Sequence, residues 1–219
     1  MFGLKSKTKT NYEGGYLIDT PSPLYAKHIL SVSEKFVAPR KIDNRDMCLS
    51  SSNQGATPHC AGYSMAGYIE FQNWKTLHYP KQVNGDNIYL KAKKTDDYRG
   101  DGTSLISVAR TALAMGLIKG KYEYVQGDRA HIKFALHEHG VCLIGFKITS
   151  EWNNVNKRGE ITKMLRPKSL GGHAVLLCGY DKRGVYIQNS WSTKWGNHGF
   201  ALMTWELFDA QIMSAMVIS

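Results

Sequence analysis

"SSNQGATPHCAGYSMAGYIEF", residues 51–71, sets a polar, proline-bearing loop against a run of small apolar residues, with one cysteine, Cys60, at the join. After Pro58, the residues Ala61, Met65, Ala66 and Ile69 recur at three-to-four spacing, the period of a helix with one buried face. Gly62 and Gly67 fall inside that pattern and permit close packing. The stretch therefore predicts a helix that opens at Cys60. A thiol at a helix N-terminus meets unpaired N–H groups and the positive end of the dipole, both of which favour its thiolate. Gln54 stands six positions ahead of it. A buried structural cysteine needs none of that company, and a nucleophile needs most of it.

Working outward, a second apolar stripe runs through Leu105, Val108, Ala109, Ala112 and Leu113, with Thr103 or Ser104 to cap it and Gly116 to close it. A third helix is expected to start at Asp128 and end at Gly140. Beyond Gly140 the texture changes. "VCLIGFKI" (141–148), "HAVLLCGY" (173–180), "GVYIQNSW" (184–191) and "GFALMTW" (199–205) are short strand-like runs separated by Gly, Asp and Lys turns. Helices first and strands later is the α+β pattern, read here as a helical lobe and a sheet lobe with a cleft between them. Ahead of this domain, residues 43–219, lies an arm, residues 1–42. Residues 1–12 read as mobile, and Ser22-Pro23 offers a helix start among the apolar residues that follow.

The bulk numbers bound the function. A chain of 219 residues, 42% of them hydrophobic, can bury a sizeable core in one domain or two lobes. The net charge of +10 is scattered, so a basic surface is expected rather than a nucleic-acid site. Four cysteines (Cys48, Cys60, Cys142, Cys178) are too few for a disulfide framework, and the first residues carry no apolar signal-peptide core. The longest apolar runs fall far short of a membrane span. These features lead to the expectation of an intracellular, reducing setting and a monomer without a membrane partner. His137 and His139 lack the H-E-x-x-H spacing and Cys48 has no C-x-x-C partner, so neither metal nor cofactor is expected.

Thiol catalysis needs a thiolate, a base to pair with it and a group to orient the base. His173 opens the run "GGHAVLLCGY", where Gly171 and Gly172 leave room for a substrate chain beside the ring. Asn189 follows 16 residues later, across a hairpin turned by "DKRG", so the two side chains can meet. Gln54 beside the Cys60 backbone N–H would make a two-donor oxyanion hole. Trp191 and Trp195 can screen the His–Asn contact from water.

These blocks, "NQGATPHCAGYS", "GGHAVLLCGYD" and "YIQNSWSTKWGNHGF", resemble the signatures of the papain-like cysteine peptidases, most of all the compact prokaryotic and phage-type members. The resemblance implies Cys60 as nucleophile, His173 as its base, Asn189 as the orienting residue and Gln54 as oxyanion donor. It also implies that Gly102, in "RGDGTS", pairs with the substrate backbone, with Gly172 and Trp191 lining the substrate site. The sequence departs from the family at Ala61, where an aromatic residue is usual, and at Thr57, where a disulfide cysteine often stands. It departs again at Ser192, which replaces the glycine of "NSWG", and at His59 beside the nucleophile, read as a loop residue.

The activity implied is cleavage of protein or peptide substrates through an acyl-thioester on Cys60. An acyl transferase or amidase using the same site, and a catalytically silent peptide-binding module, are the rival readings. Tyr16, Leu17, Leu30, Phe36 and other apolar residues predict that the arm packs on the domain. A course around the back of the lobes is expected rather than a plug in the cleft, because the arm is too short to fold as a separate inhibitory unit.

Overall fold

The computed structural model describes residues 15–17, 29–49, 52–79 and 81–219. The helix start expected at Ser22-Pro23 and the mobility expected of residues 1–12 concern positions outside these residues. The elements run β1 (Ile42–Asp43), α1 (Cys60–Leu77), α2 (Gly85–Ala92), α3 (Leu105–Ala114), β2 (Tyr122–Val125) and α4 (Arg129–His139). Then come β3 (Cys142–Thr149), β4 (Ser169–Tyr180), β5 (Gly184–Gln188), β6 (Phe200–Thr204), α5 (Trp205–Gln211) and β7 (Ile212–Ile218).

The three expected helices form, α3 and α4 at side-chain caps that were expected. α1 opens at Cys60, and its predicted face of Ala61, Met65, Ala66 and Ile69 is buried. Ser104, not Thr103, caps α3 by accepting from the Ser107 N–H. Thr103 instead donates its hydroxyl to Asp96 at 2.6 Å. Asp128 caps α4 and Gly140 ends it. Two helices carried no expectation: α2, eight residues long and capped by Asn84, and α5, capped by Thr204.

All strand pairings are antiparallel, in the order β2-β7-β3-β4-β5-β6, with β1 added to β4. The central strands are buried on both faces, which is why they read as continuous apolar runs rather than alternations. Along β4, Ala174, Leu176 and Cys178 face one core with α1, α2 and α3, while Val175, Leu177 and Tyr180 face the other with α4 and α5. This is an α+β architecture, with helices α1 to α3 on one side of the cleft and the sheet on the other. Gly62 allows α1 to press on α2, since a Cβ there would lie 2.3 Å from the Gly85 carbonyl oxygen. Among the described residues no helix is long and apolar enough to cross a membrane.

The arm takes two courses. Residues 29–43 do follow the back of the sheet lobe: the Leu30 N–H donates to the Tyr124 carbonyl, Phe36 packs edge-on against Phe134, and β1 joins β4. Residues 15–17 contradict the expected course. They lie in the cleft, where Tyr16 pairs with Thr103 and donates its N–H to the Gly172 carbonyl at 3.0 Å. The reason is physical: Gly15, without a side chain, fits against Pro58, and the Tyr16 side chain is buried against Gly145 and Gly172.

Candidate active site

The loop ahead of α1 is zipped to the loop after β5. Asn53 bridges Trp191, the Gln54 N–H donates to the Ser190 carbonyl at 2.9 Å, and the Ser192 N–H donates to Ser52 at 3.0 Å. Ser192 holds φ +69, a left-handed conformation that a glycine adopts without strain and serine does not. Gln54 is therefore seated next to Asn189 by main-chain bonds, before any side chain acts.

The Gln54 amide is oriented at both ends. Its oxygen accepts from the Ser190 hydroxyl at 2.6 Å, and its Nε2 donates to the Thr57 carbonyl at 2.7 Å. An amide nitrogen carries two hydrogens, so one N–H is left for another acceptor. Thr57 also returns its hydroxyl to the Gln54 carbonyl at 2.6 Å, which knits the turn without a disulfide.

His173 and Asn189 meet across the β4–β5 hairpin, Nε2 to Oδ1 at 2.8 Å. Asn189 Oδ1 also accepts the Ser190 backbone N–H at 2.8 Å. A backbone N–H can only donate, so the atom facing both groups is the oxygen. The proton of that contact therefore sits on His173 Nε2, and Nδ1 carries the lone pair. The imidazole is walled by Trp191, its ring centroid 4.8 Å away, and by Trp152 edge-on at 5.8 Å. Trp195 stacks on Trp152 rather than touching the imidazole and donates its indole N–H to the Trp152 carbonyl at 2.8 Å.

Cys60, at the first turn of α1, faces β4 at Ala174, the residue after His173. Both residues are closed off: Cys60 is 0% exposed and His173 2%. Burial raises the Cys60 thiol to about 11, against the pull of the backbone N–H groups of Ala174, Gly15, Ala61 and Cys60 itself. Burial likewise lowers His173 to about 4, opposed by the Asn189 contact. Burial thus works against the thiolate expected at this helix end and against the imidazolium that would pair with it.

The cover is made of main chain. The Leu17 N–H donates to the Thr103 carbonyl at 3.1 Å, and the Thr103 N–H to the Gly15 carbonyl at 3.1 Å. Thr103, one residue beyond the expected Gly102, makes these bonds. Gly102 gives clearance instead, since a Cβ there would lie 2.7 Å from the Gly15 oxygen. Gly172 does leave room for a chain beside the imidazole, and the chain in that room is the protein's own. His59 is held away from the sulfur: Nδ1 meets Asp86 at 2.6 Å and the ring stacks on Tyr89 at 3.8 Å. Sequence reading missed Trp152, which sits in the 3-10 helix Ser150–Asn153, too short to show a period, and Ser190, the anchor of the Gln54 oxygen. No group of three or more His, Cys, Asp or Glu gathers as a metal site among the described residues.

The profile of the family described as papain family cysteine protease matches residues 48–218. Among solved structures, xylellain, a cysteine protease from Xylella fastidiosa, superposes with a TM-score of 0.80 at 20% identity, covering 95% of this chain and 96% of that one. Procathepsin B S9 from Trypanosoma congolense gives a TM-score of 0.69 at 14% identity, covering 96% of this chain and 88% of that one. Digestive procathepsin L 3 from the larval midgut of Tenebrio molitor gives 0.65 at 15% identity, covering 96% and 76%.

Proposed function

The chain belongs to the papain family of cysteine proteases, and from that premise we propose that Cys60, His173, Asn189 and Gln54 carry its peptide-bond cleavage. The observation that carries the assignment is the forced tautomer of His173. Asn189 holds the proton on Nε2, so Nδ1 is the nitrogen able to take a proton from a thiol.

In the reaction, His173 Nδ1 accepts the Cys60 proton and the sulfur adds to the substrate carbonyl carbon. The oxyanion so formed is met by the second Nε2–H of Gln54 and by the Cys60 backbone N–H. The imidazolium returns its proton to the leaving amine as the C–N bond breaks, leaving an acyl-thioester. A water molecule, deprotonated by the same imidazole, then releases the acid and the thiol. Trp152 and Trp191 keep bulk water off the His–Asn contact, so that its polarity acts in a low dielectric.

The cover over the site makes this cycle conditional. The thiol at about 11 and the imidazole at about 4 give little drive for proton transfer from sulfur to nitrogen. The Gly15 backbone N–H lies against the sulfur. Displacement of residues 15–17 would admit water and substrate together to this end of the cleft.

The test is selective alkylation. After the arm is displaced, iodoacetamide is expected to modify Cys60 far faster than Cys48, Cys142 or Cys178, with peptide cleavage lost in step. Cys60→Ala should abolish cleavage, and Cys48→Ala should retain it. Cleavage that survives in Cys60→Ala would overturn the assignment.

A further inference from the structure

We propose that Cys48 and Cys178 are a redox pair, closed to a disulfide by a low-molecular-weight disulfide and reopened by a thiol, which staples residues 44–49 onto β4. Neither thiol takes part in the reaction above, so this inference stands apart from the peptidase reading.

Hydrogen bonds on either side of Cys48 set it over the β4–β5 pair. Ahead of it, the Asn44 N–H donates to the Cys178 carbonyl at 2.9 Å. The short turn Arg45–Met47 then folds the chain back, and the Cys48 N–H donates to the Arg45 carbonyl at 3.1 Å. Behind it, the Gln188 side chain on β5 donates to the Leu49 carbonyl at 2.6 Å. Cys48 packs on the core cluster that contains Cys178, and its side chain hydrogen-bonds the Cys178 thiol. Of the four cysteines, Cys48 is the one that is not buried. The pair therefore has one sulfur that an oxidant can reach and one held directly behind it.

Cys178 also stands where the sheet can give. Leu177 pairs with Ile187 and Gly179 with Tyr186, so Cys178 is the extra residue of a β-bulge and has no register partner in β5. A bulge re-aims a side chain and interrupts the ladder locally. Drawing two hydrogen-bonded sulfurs together to a bond of about 2 Å thus moves backbone at a point the ladder does not hold. The Cys178 thiol gives up only a long contact to the Tyr186 carbonyl, at 3.5 Å, and a thiol is a weak donor.

The order of steps follows from burial. Burial, and after it the Cys48 sulfur, push the Cys178 thiol well above its ordinary value, against the pull of the Arg45 guanidinium. Cys178 therefore keeps its proton, and Cys48 attacks first. Cys48 Sγ passes its proton to water and adds to one sulfur of the oxidant; the oxidant's S–S bond breaks and one small thiolate leaves, taking up that proton. Cys178 Sγ then adds to Cys48 Sγ, and its own proton goes to the second small sulfur as the mixed disulfide breaks. Two protein thiols become one S–S bond, and one small disulfide becomes two thiols. Cys60, 0% exposed beneath residues 15–17, is passed over. The new bond ties residues 44–49, ahead of Gln54, to the strand that carries His173. A bond between positions so far apart in sequence also restricts the unfolded chain.

The experiment incubates the full chain with glutathione disulfide, beside a sample kept in dithiothreitol. Peptide mapping by mass spectrometry is expected to find Cys48 joined to Cys178, the intact mass lower by two hydrogens, and Cys60 and Cys142 still thiols. The melting temperature should rise by about 5–10 °C and return when dithiothreitol is added. Cys60→Ala should show both changes and Cys48→Ala neither. Each variant is compared with its own reduced sample, so a difference in starting stability does not enter. A lasting mixed disulfide on Cys48, a bond or cap on Cys60 or Cys142 in its place, or no oxidation at all would overturn the pair. A Cys48–Cys178 bond that leaves the melting temperature unchanged would overturn the staple.

Discussion

Two extended segments meet beside His173, and they are held in opposite ways. β4 lies between β3 and β5 in the middle of the sheet, buried on both faces, and its opening requires the core to come apart. Residues 15–17 lie on the same strand's other end, at Gly172, held by three main-chain bonds and one side chain. Each such bond is worth about 1 kcal/mol net, and ordering each residue costs about 1–2 kcal/mol. The burial of Tyr16 therefore decides whether the segment stays. His173 rides on that central strand, while residues 15–17 can leave by local opening. A protease built this way can be closed without being destabilised.

The strongest way to break this comparison is to remove a group from the rigid side and find no cost. Gln54→Ala, made in the Tyr16→Ala background so that the cover does not interfere, is expected to lower kcat about a hundred- to a thousandfold with little change in KM. The oxyanion exists only near the transition state, so substrate binding should not notice its loss. A change confined to KM would mean that Gln54 serves the Ser190 and Thr57 bonds alone.

The rigid side was also the legible one. Of the residues proposed for catalysis, Cys60 stands at a helix start and Asn189 just past a strand end, where local chemistry writes itself into the sequence, while His173 lies inside β4 and Gln54 in the loop ahead of α1. The caps at Asp128 and Gly140 were legible for the same reason. α2 and α5 were not, because eight- and seven-residue helices present too few turns for a period. β7 was missed although it is central, since Met and Ser in "IMSAMVI" blur the strand signal. The path of the arm was illegible in principle. Nothing local to Tyr16 announces a trough made by Ala174, Gly145 and Ser214, which only the strand register brings together.

A smaller effect separates the cover from the tryptophan wall as the cause of burial. His173 is lowered from 6.5 to about 4, so the folded state resists protonation that the unfolded chain accepts. The stability this gives is complete above about pH 6.5 and is lost as the pH falls toward 4, at up to about 1.4 kcal/mol per unit. His139, also lowered by burial, adds to the loss and is common to all variants. Melting temperature against pH should therefore fall less steeply in His173→Gln than in the parent chain. Tyr16→Ala is expected to flatten the slope as well, because water then reaches the imidazole. An unchanged slope in Tyr16→Ala would assign the burial to Trp152 and Trp191 instead.

The smallest expected effect tests the cover without touching Tyr16. At Gly172 a Cβ would lie 2.3 Å from the Tyr16 carbonyl oxygen, and the three nearest atoms to it all belong to Tyr16. Gly172→Ala should thus push the arm out and leave the sheet as it is. Iodoacetamide, which needs no backbone pairing, should then alkylate Cys60 about tenfold faster, equivalent to about 1.4 kcal/mol of lost closure. Peptide turnover should move the other way, since a substrate main chain at Gly172 meets the same methyl group. Tyr16→Ala, in contrast, should raise alkylation and turnover together. The pair of variants gives opposite signs in one readout and the same sign in the other, a pattern that general loosening of the fold cannot produce. Slower alkylation in Gly172→Ala would mean that the closure of Cys60 does not depend on residues 15–17.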